Sequence, residues 1–61
     1  MTTIFWTDND EVIETHTAPT RKEAVAKIER MLGEPMSDNA RKALIAGEEV
    51  VCGDCEAVYI R

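Results

Sequence analysis

The sequence contains two cysteines, Cys52 and Cys55, which are separated by two residues and could bind a metal or undergo redox chemistry. A C-x-x-C pair can supply half of a structural zinc site or act as a redox dithiol. A closed zinc site needs four ligands, and the chain adds only His16 to the two thiols, so a carboxylate or a second subunit would have to complete it. Asp54 and Glu56 disfavour the thiolate that redox chemistry needs. We therefore expect reduced thiols without metal or cofactor, with a zinc-stapled structural or regulatory module as the alternative.

A cluster of carboxylates, Asp8-Asn9-Asp10-Glu11, resembles the start of a calcium-binding loop. It lacks the glycine at the sixth position and the glutamate at the twelfth that such a loop uses, so we do not expect calcium. Carboxylates can also act in pairs as general acid and base, but only in a pocket that desolvates one of them. A chain of 61 residues rarely encloses such a pocket, and we expect a protein without enzymatic activity.

The elements that position these residues begin with a predicted hairpin. The runs TTIFWT and EVIETHT are rich in β-formers and flank Asn9-Asp10, two residues that fit the centre of a tight turn. Trp6 is expected to anchor the hydrophobic cluster on the core face, and His16 to face solvent. The predicted cross-strand pairs are Trp6 with Ile13 and Ile4 with Thr15 on the core face, and Phe5 with Glu14 and Thr3 with His16 on the solvent face.

Two helices are predicted to follow. Thr20 with Glu23 three residues later forms a capping box, and Gly33 ends the first helix. Its buried stripe is expected to contain Ala24, Val25, Ile28, Met31 and Leu32. A second, shorter helix is expected to run from the N-cap Ser37 to Gly47.

A second hairpin is predicted from EEVVC and EAVYIR, with Gly53-Asp54 as its two-residue turn. Both of its faces are partly apolar, so the pattern does not choose which one faces the core. The element order is therefore ββααββ in one domain, residues 1–61. We predict an α+β fold, an antiparallel sheet from two hairpins with two helices on one face.

Charge is distributed unevenly along the chain, whose net charge is −5. Residues 1–18 and 48–60 each contain four acidic residues and no Lys or Arg, whereas residues 19–47 carry six Lys and Arg against four acidic residues. This distribution disfavours direct binding to nucleic acid or to an anionic membrane and favours a basic protein partner. The chain also lacks a signal-peptide pattern and a membrane-length apolar run, so we expect a cytoplasmic protein, and a monomer.

The carboxylates of the two hairpins are predicted to form an acidic sheet face opposite the helices. Phe5 would supply a large apolar group among these charges, as interface anchors do. The candidate partner-binding residues are Phe5, Asp8, Asp10, Glu11, Glu14, Glu48, Glu49, Asp54 and Glu56. One alternative is that the acids serve only solubility and protection of sheet edges. The other is a contact surface on the helices formed by Arg21, Lys22, Arg30, Arg41 and Lys42.

Over its full length the chain resembles the phage-encoded anti-CRISPR proteins directed against type I systems, type I-C among them. The stretches that carry the resemblance are MTTIFWTDNDEVIETHT, TRKEAVAKIERMLG and GEEVVCGDCEAVYIR. Proteins of this kind share no common motif, so the resemblance assigns no residue roles. It implies a stoichiometric inhibitor in the host bacterial cytoplasm, which binds a subunit of the type I surveillance complex and blocks target DNA.

Overall fold

The computed structural model describes residues 1–61 and has the predicted element order ββααββ. The predicted fold class, a small α+β fold with one antiparallel sheet and two helices, is confirmed. The elements are β1 (Thr2–Asp8), β2 (Glu11–Ala18), α1 (Arg21–Leu32), α2 (Asp38–Ile45), β3 (Val50–Gly53) and β4 (Glu56–Ile60). Neither helix is long and apolar enough to cross a membrane.

The strands lie in the order β2-β1-β4-β3, so β1 and β4 are central and β2 and β3 are the edges. Because β1 pairs antiparallel with both β2 and β4, the turn of each hairpin lies at the same end of the sheet. The backbone N–H of Asn9, in the first turn, donates a hydrogen bond of 2.8 Å to the carbonyl of Cys55, in the second. The two acidic hairpin tips are therefore neighbours.

The first hairpin contains a β-bulge that the sequence pattern did not predict. Asn9 and Asp10 form the turn as expected, but the register shifts between Trp6 and Thr7, so that Trp6 pairs with Glu14 instead of Ile13. The four predicted cross-strand pairs are consequently wrong. The observed pairs are Thr3 with Thr17, Ile4 with His16, Phe5 with Thr15 and Trp6 with Glu14.

Every residue of β2 that follows the bulge lies on the face opposite to the predicted one, because side chains alternate between faces along a strand and Ile13 adds one residue to it. Ala18 then lies on the helix side, where it is 6% exposed and belongs to the core. Its small side chain lets α1, which begins three residues later, pack closely over β2. His16 and Glu14 move to the helix side with it, in contrast to the prediction that both face away from the helices.

The second hairpin turns one residue later than predicted. Asp54 and Cys55 form the turn, with Cys55 at φ 63°, whereas Gly53 is the last residue of β3. The register shifts between Val51 and Gly53, which leaves Cys52 as the extra residue of a second bulge. The face of the second hairpin that contains Val58 packs against the helices, since Val58 is fully buried in the core.

Both helices begin at their predicted N-caps and α1 ends at Gly33 as predicted, whereas α2 ends at Ile45, two residues before the predicted Gly47. The N–H of Glu23 donates to Thr20 Oγ1 at 3.1 Å, and that of Ala40 to Ser37 Oγ at 3.2 Å. Gly33, at φ 82°, closes α1 with a left-handed conformation that favours glycine.

One core connects the helices to the inner face of the sheet. Its buried residues are Ile4, Ala18, Ala24, Val25, Ile28, Leu44, Val58 and Ile60. Two expectations are corrected at its boundary. Met31, predicted within the buried stripe of α1, is 39% exposed, and Trp6, predicted as the anchor of the core, packs only against its edge.

The carboxylate of Glu29 ties α1 to α2 and to the segment between them. It accepts hydrogen bonds from Arg41 Nη2 at 3.0 Å and Nε at 3.3 Å, and from the N–H of Met36 at 3.1 Å. These bonds, that of Arg41 first, hold the pKa of Glu29 below its ordinary value. The fold therefore favours the ionised form of this carboxylate.

We predict that Glu29→Gln lowers the melting temperature at neutral pH. Since the pKa of Glu29 is depressed in the folded protein, its contribution is present above the pKa of the unfolded chain and is lost as pH falls through the folded pKa. The difference from the parent protein should therefore shrink under acid conditions. Circular dichroism melts over a pH series measure this, with Glu34→Gln as the control because Glu34 is exposed and forms no ion pair. Equal melting of both variants at neutral pH would contradict the prediction.

Candidate functional site

Three carboxylates lie side by side across three adjacent strands at the turn end of the sheet. Asp8 on β1 is the register partner of both Glu11 on β2 and Glu56 on β4. Neighbouring strands lie about 4.8 Å apart, and like charges directly opposite each other destabilise a sheet. No Lys or Arg forms an ion pair with any of the three. This acidic row is therefore a concentration of negative charge that the chain itself does not neutralise.

The turns beside the acidic row add two more carboxylates and an unusual backbone. Asp10 and Asp54 lie in the two hairpin turns, which the hydrogen bond from Asn9 to Cys55 joins. Asn9, Asp10 and Cys55 are the non-glycine residues with positive φ, at 52°, 64° and 63°. Asn and Asp tolerate this region because their short polar side chains hydrogen-bond locally, whereas at Cys55 it raises the energy of the folded state by roughly 1 kcal/mol or more. We call Asp8, Asp10, Glu11, Asp54 and Glu56 together the acidic end.

A shallow groove of about 280 Å³ lies beside the acidic row, on the helix side of the sheet. The residues that line this Trp6 groove are Trp6, Ile13, Glu14, His16, Met31 and Glu56. The indole Nε1–H of Trp6 donates to Glu56 Oε1 at 3.0 Å, and Glu14 Oε2 lies 3.2 Å from His16 Nε2. The groove thus combines apolar walls with two carboxylates.

The eight carboxylates among the predicted contact residues divide into two groups in the structure. The first group lies at the acidic end and contains Asp8, Asp10, Glu11, Asp54 and Glu56. Glu14 lies next to this group, because it lines the Trp6 groove together with Glu56. Glu48 and Glu49 precede β3, whose other end leads into the turn, so they lie apart from the acidic end.

Phe5 lies on the open face, away from Glu14 and the helices, which contradicts the predicted acidic sheet face. It stacks on Tyr59 with ring centroids 5.0 Å apart, and Arg61 lies over the Tyr59 ring at 5.2 Å. The error has one cause. Phe5 was expected to be opposite Glu14, but the bulge pairs it with Thr15.

Three of the six basic residues of the helices are engaged within the chain. Arg21 Nη1 donates to the carbonyl of Ile45 at 2.6 Å, and Lys27 Nζ to that of Thr17 at 3.2 Å. Arg41 is held by Glu29 and lies 3.5 Å from Asp38. Of the five residues in the alternative basic contact surface, Lys22, Arg30 and Lys42 form no side-chain hydrogen bond or ion pair.

The two cysteines are free, Cys52 half-buried and Cys55 exposed. Burial, and next the charge of Glu56, raise the pKa of the Cys52 thiol, which disfavours the thiolate that metals and redox partners require. Within one chain no three His, Cys, Asp or Glu residues are grouped as metal ligands. A zinc ion would still need ligands from a second copy.

The sequence pattern did not indicate the groove, because Ile13 and Met31 were assigned to the buried core and His16 to the solvent face of the sheet. The run EVIETHT contains no local signal that would distinguish a bulged strand from a regular one. Comparison with protein-family models, curated proteins and solved structures finds no match to this chain. Its function must therefore be argued from the site.

We predict that Asp10→Gly stabilises the protein by about 1 kcal/mol, because Asn-Gly suits a turn with two positive φ angles and because one repelling charge is removed. Urea unfolding measures the change in the free energy of unfolding. The control is Asp54→Gly, which removes the same charge from a turn position without positive φ. Equal stabilisation by both substitutions would show that charge, not backbone conformation, is responsible.

Proposed function

We propose that this chain is a small acidic inhibitory binding protein. It docks its acidic end on the basic surface of a nucleic-acid-binding protein and excludes the nucleic acid. The observation that carries the proposal is the acidic row, in which Asp8 is flanked by Glu11 and Glu56 with no Lys or Arg of the chain paired to them. Such repulsion destabilises the free protein and is relieved when a cationic surface binds.

The physical basis is competition for the same cations. Nucleic-acid-binding sites are lined with Lys and Arg that neutralise phosphates, and a rigid array of carboxylates can contact the same side chains. The acidic end is held on the ends of strands of one sheet, so little ordering is required on binding. Because the net charge is only −5, few ionic contacts are available and apolar contacts must contribute as well.

Within this class, the particular protein that we propose is an anti-CRISPR acting on a type I surveillance complex in the host bacterial cytoplasm. The support is the resemblance of the full chain to such inhibitors, together with the size and acidity of the domain. It acts as a monomer and stoichiometrically, without catalysis, metal or contact of its own with DNA or membrane.

The test measures target-DNA binding by a purified type I-C surveillance complex while the inhibitor is titrated. We expect the parent protein to abolish DNA binding near equimolar amounts. Asp8→Asn/Asp10→Asn/Glu11→Gln should raise the inhibitory concentration about tenfold, since three contacts worth about 0.5 kcal/mol each exceed the 1.4 kcal/mol of a tenfold change. Raising salt from about 50 mM to about 200 mM should weaken inhibition by the parent more than by the variant.

The matched control, Glu34→Gln/Glu48→Gln/Glu49→Gln, removes three charges away from the acidic end and should inhibit like the parent. If the parent does not inhibit the complex, the anti-CRISPR assignment is wrong. If both triple variants lose the same potency, only net charge matters and the acidic end is not a docking surface.

A further inference from the structure

The Trp6 groove exposes apolar side chains that the core does not use. Ile13 is 52% exposed and Met31 is 39% exposed, and the partly buried Trp6 lines the groove beside them and packs against the core. Adjacent exposed apolar groups on a small charged domain mark a place where another molecule packs. These three residues come from β2, α1 and β1, so only the folded chain brings them together.

Two carboxylates at the groove retain acceptor capacity. Glu56 uses Oε1 to accept the indole N–H of Trp6, which orients the carboxylate and leaves Oε2 without a protein donor. Glu14 contacts only His16, through Oε2. No Lys or Arg of the chain pairs with either group. The groove therefore offers apolar contact and negative charge in the same place.

The size and charge of the groove restrict its occupant. A volume of about 280 Å³ lies just below the roughly 300–1,000 Å³ of small-molecule sites, and it suits a single inserted side chain. An anion would be repelled, and a neutral apolar group would desolvate Glu56 without giving it a partner. A cation with an apolar or planar part satisfies both features.

We propose that the Trp6 groove receives one arginine side chain of the basic partner. The guanidinium stacks on the indole of Trp6 and donates to Glu56 Oε2 and Glu14, while its methylene groups pack on Ile13 and Met31. Arginine fits better than lysine because its planar fork binds carboxylates through two N–H groups, stacks on aromatic rings and is less strongly hydrated. This inference rests on the proposed function, and it names the anchor of that same interface.

The test follows the single indole N–H of the isotope-labelled full chain by NMR, since the protein has one tryptophan. The probe is a capped Gly-Arg-Gly peptide. One control peptide replaces the arginine by citrulline, which has nearly the same shape without the charge, and the other replaces it by lysine, which keeps the charge. We expect a saturable shift of the indole resonance in the millimolar range with arginine, several-fold weaker binding with lysine and no shift with citrulline.

Glu56→Gln should weaken arginine binding about tenfold while its amide oxygen still accepts the indole N–H. Met31→Ala should weaken binding about threefold, because part of the apolar wall is lost. Glu34→Gln, which does not change a residue that lines the groove, should bind like the parent. A Glu56→Gln variant that binds arginine as tightly as the parent overturns the inference, and so does a lysine peptide that binds equally well.

The outcomes separate this inference from the proposed function. If arginine and lysine peptides shift the resonances of Asp8, Asp10 and Glu11 but not the indole, the groove is not an arginine site, while the acidic end still binds cations. If the indole shifts as expected but the acidic-end variant inhibits the surveillance complex like the parent, the groove inference holds and the docking model is wrong.

Discussion

The antiparallel pairing of β1 with both β2 and β4 is the constraint on which the rest of the structure depends. It places the two hairpin turns at one end of the sheet, where the N–H of Asn9 donates to the carbonyl of Cys55. It also presents Ile4, Val58 and Ile60 together to the helices as the sheet half of the core. The same pairing therefore builds the stable part of the molecule and gathers its carboxylates.

The contacts that stabilise the fold and the unpaired carboxylates lie in different parts of the molecule. The apolar core and the Glu29 contacts that join the helices hold one part together, whereas the acidic end combines like charges with positive φ angles. A domain of this size has a small free energy of unfolding. Each unfavourable feature at the acidic end therefore lowers that free energy by a substantial fraction. Under the proposed function, a cationic partner relieves the repulsion between these carboxylates when it binds the acidic end.

Much of the fold was predictable because its signals are local. Thr20, Ser37 and Gly33 mark helix ends by their own hydrogen-bonding and backbone preferences, and Asn9-Asp10 marks a turn. The candidate site was predicted only in part. All six of its carboxylates were identified, but Phe5 and Glu14 were placed on one face and the groove was missed. A single bulged residue, Ile13, reverses the faces of all that follows in β2.

By itself the sequence determined the number, type and order of the elements and the acidity of both hairpins, since periodicity, capping and composition are properties of neighbouring residues. Only the tertiary structure decided which carboxylates meet. Glu56 lies beside Asp8 and Trp6 although about fifty residues separate them along the chain, as the hydrogen bond from Trp6 to Glu56 records. Strand order and bulge position depend on packing against the helices, and the free energies that select them arise from contacts between distant residues.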